Sequence, residues 1–171
     1  TAISLTYLAI TGDQYFIAAL SIVVAGSTLG FLIWNRAPAR IYMGDAGALF
    51  LGLLIATLTV RFKPSTDNSA SSFAIPVLLL AIPILDTTVA VFSRLRRKLS
   101  PYQGGKDHLS HRLIRSGLSR RLSAITLWSL TGLFSFFAVL ISLPNNSYDL
   151  IIVAVASGFW LLLFIYFFRT K

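Results

Sequence analysis

Cysteine and glutamate are absent from this 171-residue sequence, and charged residues make up only 12% of it. Without cysteine, the chain has neither a disulfide framework nor a thiolate metal site. Without glutamate, six aspartates are the only side-chain carboxylates that it can contribute to a reaction. Soluble domains average about 25% charged residues, so the shortage of charge argues against an ordinary soluble domain.

Hydrophobic residues are abundant instead, at 56% of the chain, and the formal net charge is +9. A chain that is both apolar and basic is typical of a membrane protein with cationic loops on one side. Tyr15–Trp34 and Ser123–Leu143 contain no charged residue, and each has about the 20 residues that a bilayer crossing requires. The predicted fold is therefore all-α, a polytopic membrane helical bundle.

Five full transmembrane helices are predicted after a short first one. Thr1–Ile10 is too short to cross a bilayer, and no signal-peptide pattern is present. We therefore expect residues 1–171 to form a single membrane domain, the C-terminal half of a longer protein. The five spans are Tyr15–Trp34, Ala46–Val60, Ser72–Phe92, Ser123–Leu143 and Leu150–Phe168. Pro76 and Pro83 interrupt the third of them.

The cations lie on one side of the membrane when these spans alternate. Thirteen of the 15 fall in one set of loops, whereas only Arg61 and Lys63 fall in the other. Cationic loops stay in the cytoplasm, so the long basic loop over residues 93–122 is predicted to be cytoplasmic. Contacts with membrane lipid headgroups account for part of this charge. The cations follow membrane sidedness rather than a soluble face, so nucleic-acid binding is not expected.

Asp45 is the first candidate for chemistry, in the segment Met43-Gly-Asp-Ala-Gly47 that leads into an apolar helix. One interpretation is a helix N-cap, a position that favours Asp. The other is a magnesium ligand. A helix N-terminus attracts phosphate, hard oxygen ligands suit Mg²⁺, and Gly44 and Gly47 leave the backbone open to a ligand. The residues alone leave both open.

Asp86 is the second candidate, because it lies inside the apolar segment Ser72–Phe92. An ionisable group in a membrane helix is costly unless it is paired, so it suggests a functional residue. The alternative is a structural aspartate that accepts hydrogen bonds from Thr87, Thr88 or a loop arginine. Pro83, which frees a backbone carbonyl one turn earlier, makes a polar pocket plausible.

The third candidate is the loop segment from Lys106 to Arg112. It carries cations, a carboxylate and two histidines spaced i, i+3, which share one face if the segment is helical. Such a group suits a diphosphate through charge neutralisation, bidentate contacts and a donor that titrates near pH 7. Zinc is not expected, since His108, His111 and Asp107 have no further ligand in this loop.

Four motifs together resemble the polyprenyl-phosphate N-acetylhexosamine-1-phosphate transferases, or glycosyl transferase family 4. The motifs occur in order between the predicted helices: Met43-Gly-Asp-Ala-Gly-Ala-Leu-Phe-Leu-Gly52, Pro83-Ile-Leu-Asp-Thr-Thr88, Ser100-Pro-Tyr and Asp107-His-Leu-Ser-His-Arg-Leu113. The similarity is closer to the bacterial undecaprenyl-phosphate GlcNAc-1-phosphate transferases than to the phospho-MurNAc-pentapeptide translocases. The translocases have three successive histidines followed by Phe-Glu, which this chain lacks.

The resemblance implies a phosphotransferase in the bacterial plasma membrane. A UDP-N-acetylhexosamine would give its sugar 1-phosphate to undecaprenyl phosphate at the cytoplasmic face, releasing UMP, as the first membrane step of cell-wall or surface-polysaccharide synthesis. The implied cofactor is Mg²⁺ held by Asp45, with Mn²⁺ as a substitute. A homodimer is left open.

The resemblance also assigns residues. Asp45, His108 and His111 are the expected catalytic residues, with Ser110 in place of the middle histidine of a His-x-His-His motif. The expected substrate-binding residues are Gly44, Gly47, Asp86, Arg94, Arg97, Lys106, Asp107, Ser110 and Arg112. The family's adjacent aspartate pair would lie upstream of Thr1, so we expect this chain to be inactive alone. A non-catalytic membrane protein, either half of a transporter or scramblase or a degenerate transferase, is the alternative.

Overall fold

The chain is all-helical in a computed structural model that describes residues 1–36, 38–64, 66, 68–100, 105, 107–144 and 146–170. No β-strand occurs among these residues, so the predicted fold class is confirmed. The helices are α1 (Ala2–Thr11), α2 (Tyr15–Asn35), α3 (Gly44–Arg61), α4 (Ser69–Leu79), α5 (Ala81–Arg96), α6 (Leu109–Arg115), α7 (Arg120–Ile141) and α8 (Asp149–Arg169).

Two of the helices begin a few residues before the apolar runs that predicted them. The Asn68 side chain accepts the Ala70 N–H at 2.9 Å, and the Ser119 hydroxyl accepts the Leu122 N–H at 3.2 Å. Each contact satisfies a backbone N–H group that has no partner within its helix. A polar cap therefore sets the start of α4 and of α7, and Arg120 belongs to the helix rather than the loop.

The segment predicted as one span, Ser72–Phe92, consists of two helices, α4 and α5, which are bent by 72° around Leu80. Pro83 lies in the first turn of α5, where its missing N–H is tolerated. The Leu79 carbonyl that this N–H would have reached accepts the Thr1 hydroxyl instead, at 3.0 Å. The freed carbonyl expected at Pro83 is thus present. Four described helices are long and apolar enough to span a membrane, or five spans if the bent pair counts as one.

Side chains of all eight described helices contribute to the buried core. Its fully buried side chains include Leu5, Ile75, Leu85 and Phe134. The Trp160 indole adds a polar tie, because its N–H donates to the Ala81 carbonyl at 2.9 Å, immediately after the bend. This packing holds α5 in place and thereby fixes the position of its polar residues, among them Asp86.

Contacts between loops follow the two sides predicted from charge. On the side with few cations, Gln14 exchanges two hydrogen bonds with the backbone of Lys63, at 2.7 and 2.9 Å. On the same side, the Ser71 hydroxyl donates to Asp149 at 2.5 Å, where α8 begins. On the basic side, Arg112 of α6 contacts the end of α8, as described below. The chain therefore has two polar ends separated by apolar helices.

Candidate functional site

Asp86 lies on α5 and is bonded to the start of α6. Its Oδ2 is 2.7 Å from His108 Nδ1, and its Oδ1 accepts the Leu109 N–H at 2.6 Å. Leu109 is the first residue of α6, and the His108 side chain makes no capping bond there, so Asp86 provides the cap. The partners suggested for a structural Asp86 were wrong, because the Thr87 and Thr88 hydroxyls donate to carbonyls one turn back, at 3.0 and 2.6 Å.

The two hydrogen bonds of Asp86 fit both interpretations of this residue, the structural one and the functional one. The bond to the Leu109 N–H is structural, whereas the bond to His108 involves an expected catalytic residue. The carboxylate of Asp86 remains 31% exposed and the His108 side chain 49% exposed. The contact is therefore at the surface of this chain, where a ligand has access to the imidazole.

Asp107, the residue directly before His108, has a buried carboxylate that is bonded to the end of α5. Arg94 Nε donates to its Oδ2 at 3.0 Å, and Arg97 Nη2 donates to its Oδ1. Burial acts to raise the pKa of Asp107, but the hydrogen bonds and charges of Arg94 and Arg97 outweigh it and hold this pKa below its usual 3.8. Two ion pairs therefore attach the loop to α5 at neutral pH.

We expect this attachment to weaken in acid. A carboxylate with a lowered folded pKa stabilises the fold above its unfolded pKa, and this contribution is lost as pH falls through the folded pKa. The loop should therefore stay attached from neutral pH to about pH 4 and loosen below it. Pepsin digestion at several pH values between about 2 and 5, with a denatured substrate to correct for pepsin activity, measures cleavage around α6.

Asp107→Asn is the matched variant for this test, because the amide has no carboxylate to titrate. Its cleavage should be faster than that of the wild type at about pH 5 and nearly independent of pH. Equal wild-type cleavage at both ends of the range would contradict the assignment.

Arg112 is buried, at 3% exposure, and its guanidinium ties three elements together. Nε donates to the Asp107 carbonyl at 3.0 Å, and Nη2 donates to the Ser93 hydroxyl at 2.7 Å. Nη1 donates to the Phe167 carbonyl at 2.7 Å and to the Thr170 carbonyl at the end of α8. The side chain thus supports α6 from within, and a direct contact between Arg112 and substrate stays a prediction.

The two histidines are three residues apart in the sequence, and only His111 lies inside a helix. His108 is the N-cap residue of α6, with extended backbone, and His111 is inside the helix. The condition for a shared helical face, that both residues are helical, is therefore not met. His111 is exposed and makes no hydrogen bond with the described residues, and Ser110 between them is half-buried. Lys106, expected to bind the diphosphate, lies outside the described residues. The assembly presents two exposed imidazoles on a basic surface.

Asp45 is the second residue of α3, and the N-cap interpretation was wrong. The helix begins at Gly44 after Met43, and no side chain caps this end. Gly44 has φ +68°, in the left-handed region that glycine adopts most readily. A Cβ at Gly47 would lie 2.6 Å from Met43 Cγ, the middle of a flexible side chain. The Asp45 carboxylate is exposed at the positive end of the helix.

No hydrogen bond in the described structure joins Asp45 to Asp86 or His108, and α3 packs mainly on α2 and α4. Among the described residues, no three His or Asp side chains lie close enough together to hold a metal ion. A magnesium ion held by Asp45 would therefore take its remaining ligands from phosphates, water or other parts of the protein. A single exposed carboxylate beside a helix N-terminus fits that partial role.

Two basic clefts lie at the arginine-rich end of the described structure. One, of about 570 Å³, lies between α5, α6 and α8 and includes Arg96, Arg97, Arg115 and Arg169. The other, of about 950 Å³, lies between the end of α2 and the start of α7. It includes Arg36, Arg40, Arg120 and Arg121 with Trp34 and Trp128. Neither is lined by Asp45 or Asp86, so the larger cleft is not where the candidate catalytic residues meet.

No sequence signal identifies the acceptors that hold Arg112. Two of them are backbone carbonyls at the end of α8, and a carbonyl is present at every residue regardless of its side chain. Another acceptor is the hydroxyl of Ser93, the first residue of the predicted basic loop. A buried arginine demands acceptors, but only the packing of α8 beside α6 identifies them.

Comparison with known proteins agrees with the motifs. The model of the family described as glycosyl transferase family 4 matches residues 1–63. A Bacillus subtilis protein named "Probable undecaprenyl-phosphate N-acetylglucosaminyl 1-phosphate transferase" is 36% identical over 96% of this chain and 42% of its own length. A decaprenyl-phosphate N-acetylglucosaminephosphotransferase of Mycolicibacterium smegmatis is 35% identical over 74% of this chain and 34% of its own.

A shorter match is to a protein that is named for a different transferase. A phospho-N-acetylmuramoyl-pentapeptide-transferase of Clostridium botulinum is 47% identical, but over 37% of this chain and 20% of its own length. No solved structure matches the chain. The chain spans less than half the length of these relatives. With its apolar helices and these bacterial relatives, it is a multi-pass protein of the plasma membrane.

Proposed function

Because this chain belongs to glycosyl transferase family 4, we propose that the protein containing it transfers N-acetylhexosamine 1-phosphate from a UDP-sugar to undecaprenyl phosphate. An oxygen of the lipid phosphate forms a bond to the phosphorus attached to the sugar. The phosphorus–oxygen bond to UMP breaks, and UMP leaves with its electron pair. The product is a lipid-linked sugar diphosphate at the cytoplasmic membrane surface.

The observation that carries this proposal is the anchoring of α6. The bonds from Asp86, Asp107 and Arg112 hold this short helix against α5 and α8. They leave His108 and His111 exposed among arginines. Transfer between two anions requires charge neutralisation and fixed geometry of the reacting groups. A rigid, basic helix with two imidazoles supplies donors for phosphate oxygens.

Each expected site residue in the described part of the chain has a role consistent with its placement. His108 and His111 donate to diphosphate oxygens, and Arg97, half-exposed at 50%, binds the nucleotide with Lys106. Asp107, Arg94 and Arg112 support the loop, whereas Ser110 lines it between the imidazoles. Gly44 and Gly47 let phosphate approach the start of α3. Asp45 would hold Mg²⁺, or Mn²⁺ in its place, and the bound ion would stabilise charge on the departing UMP.

A transfer assay tests the proposal directly. The full-length protein in membranes, given Mg²⁺, UDP-GlcNAc and undecaprenyl phosphate, should form a lipid-linked sugar diphosphate and UMP. The 171-residue chain alone should form none, since it contains no adjacent aspartate pair. Product formed by the purified 171-residue chain would overturn the second expectation. A full-length protein that forms no product with any UDP-N-acetylhexosamine would overturn the proposed function.

A further inference from the structure

We propose that Asp86 is a positioning residue, which fixes the orientation and tautomer of His108 and holds the first turn of α6. The inference rests on the proposed function, because His108 is expected to contact the diphosphate. It adds a division of work between the two residues. His108 contacts substrate, whereas Asp86 acts through His108.

Both oxygens of Asp86 are committed to the residues around the start of α6. Oδ2 lies 2.7 Å from His108 Nδ1, and Oδ1 lies 2.6 Å from the Leu109 nitrogen. A carboxylate with two bound partners of this kind cannot rotate without losing one of them. Asp86 therefore fixes the backbone at Leu109 and the imidazole of the preceding residue together.

This contact selects one form of the imidazole. An ionised carboxylate only accepts hydrogen bonds, so Nδ1 of His108 must carry the proton. Nε2 of a neutral His108 is then left as an acceptor, or as a second donor once the ring is protonated. Nδ1 is bonded to α5 in either state, so Nε2 is the ring nitrogen available to a phosphate or to the proton of an attacking or leaving group.

The other charged and titratable residues described around the start of α6 make no hydrogen bond to the imidazole of His108. Asp107, next to His108 in sequence, is bonded to Arg94 and Arg97. His111 is exposed on α6 and has no hydrogen bond to the described residues. Asp86 is thus the carboxylate that the described structure bonds to His108. The Thr87 and Thr88 hydroxyls are bonded to backbone carbonyls and do not compete for it.

Asp86→Asn is the sharpest variant, because it keeps an oxygen for Leu109 but presents an NH₂ group to Nδ1. The amide NH₂ can pair only with a neutral ring that has its proton on Nε2. Such a ring donates to phosphate as a neutral group and not as the doubly protonated, charged donor that the Asp86 carboxylate supports. In the full-length enzyme, kcat should fall about 10- to 100-fold, the loss typical when the partner of a functional imidazole is removed. KM for the UDP-sugar should change less, because the charges of the loop remain.

A double-mutant cycle separates positioning from mere structure. If Asp86 acts through His108, the pair Asp86→Asn with His108→Ala should be no slower than His108→Ala alone. Asp149→Asn is the matched control, an aspartate on the opposite side that bonds Ser71, and it should keep the wild-type kcat. Multiplying losses in the double variant, or a wild-type kcat in Asp86→Asn, would overturn the proposal.

Hydrogen–deuterium exchange of the peptide covering α6 gives a readout that does not depend on activity. Exchange should increase in Asp86→Ala, which removes the acceptor of the Leu109 N–H, and less in Asp86→Asn, which retains one. Unchanged exchange in Asp86→Ala would overturn the anchoring. A wild-type protein without transferase activity would instead overturn the proposed function, and the exchange experiment would still decide whether Asp86 anchors α6.

Discussion

Asp45→Asn in the full-length protein should abolish most of the transferase activity and leave the fold intact. The carboxylate is exposed and accepts no hydrogen bond from the described residues, so its loss breaks no contact. Losing its charge at the helix N-terminus costs about 0.3–1 kcal/mol. The loss of a metal ligand should lower kcat at least about 100-fold, which corresponds to about 2.7 kcal/mol of transition-state stabilisation.

The measurement is kcat across a Mg²⁺ titration, together with thermal unfolding in the same detergent. The variant should require more Mg²⁺ for half-maximal activity, since the ion has lost a hard anionic ligand. Asp13→Asn is the matched control. Asp13 lies on the opposite side and has φ +55°, a conformation that asparagine tolerates. Near-normal turnover of Asp45→Asn with unchanged Mg²⁺ dependence would rule out the ligand role.

Arg112→Ala, unlike Asp45→Asn, should greatly lower the stability of the protein. The substitution leaves the Asp107, Phe167 and Thr170 carbonyls without their guanidinium donor in a buried place. Leaving one buried acceptor without its partner costs about 1–3 kcal/mol, and three carbonyls are affected here. We expect a lower unfolding temperature and the release of α6 from the end of α8. Activity should fall as a consequence, because His108 and His111 lose their support.

Arg121→Ala is the matched control for this substitution. Arg121 is exposed in the first turn of α7, and surface substitutions usually stay within about 0.5 kcal/mol. Arg112→Lys should recover only part of the stability, since one ammonium group cannot reach acceptors on three elements. Denaturant titration of the full-length protein compares the three variants. Equal stability of Arg112→Ala and Arg121→Ala would show that the network around Arg112 does not hold α6.

The helices and their sidedness were predictable from the sequence for a local reason. Long apolar runs such as Tyr15–Trp34 have to satisfy their backbone groups within the segment, so they are helical. The charge bias of the loops is additive along the chain and needs no tertiary contact to be recognised. The boundaries were less accurate, because Ser119 and Asn68 cap helices from within polar loops.

The bend at Leu80 was only half predictable. Pro76 and Pro83 signalled an interruption, but proline lies inside α4 without breaking it there. The 72° change in direction occurs between the two prolines. It is supported by bonds from Thr1 and Trp160, which are distant in sequence. Proline removes a backbone donor, whereas the surrounding helices decide how the chain turns.

The sequence by itself determined which side chains are unusual here, and the tertiary structure decided what each is bonded to. An aspartate in an apolar helix and an arginine in a short loop helix both require partners because an unpaired buried charge is costly. The residue type states that need without naming the partner. Asp86 is bonded to His108, which is 22 positions away in the sequence, and Arg112 is bonded to the Phe167 carbonyl, which is 55 positions away. Only the packing of α5, α6 and α8 brings these groups together, and that packing turns a merely basic loop into a fixed helix with exposed imidazoles.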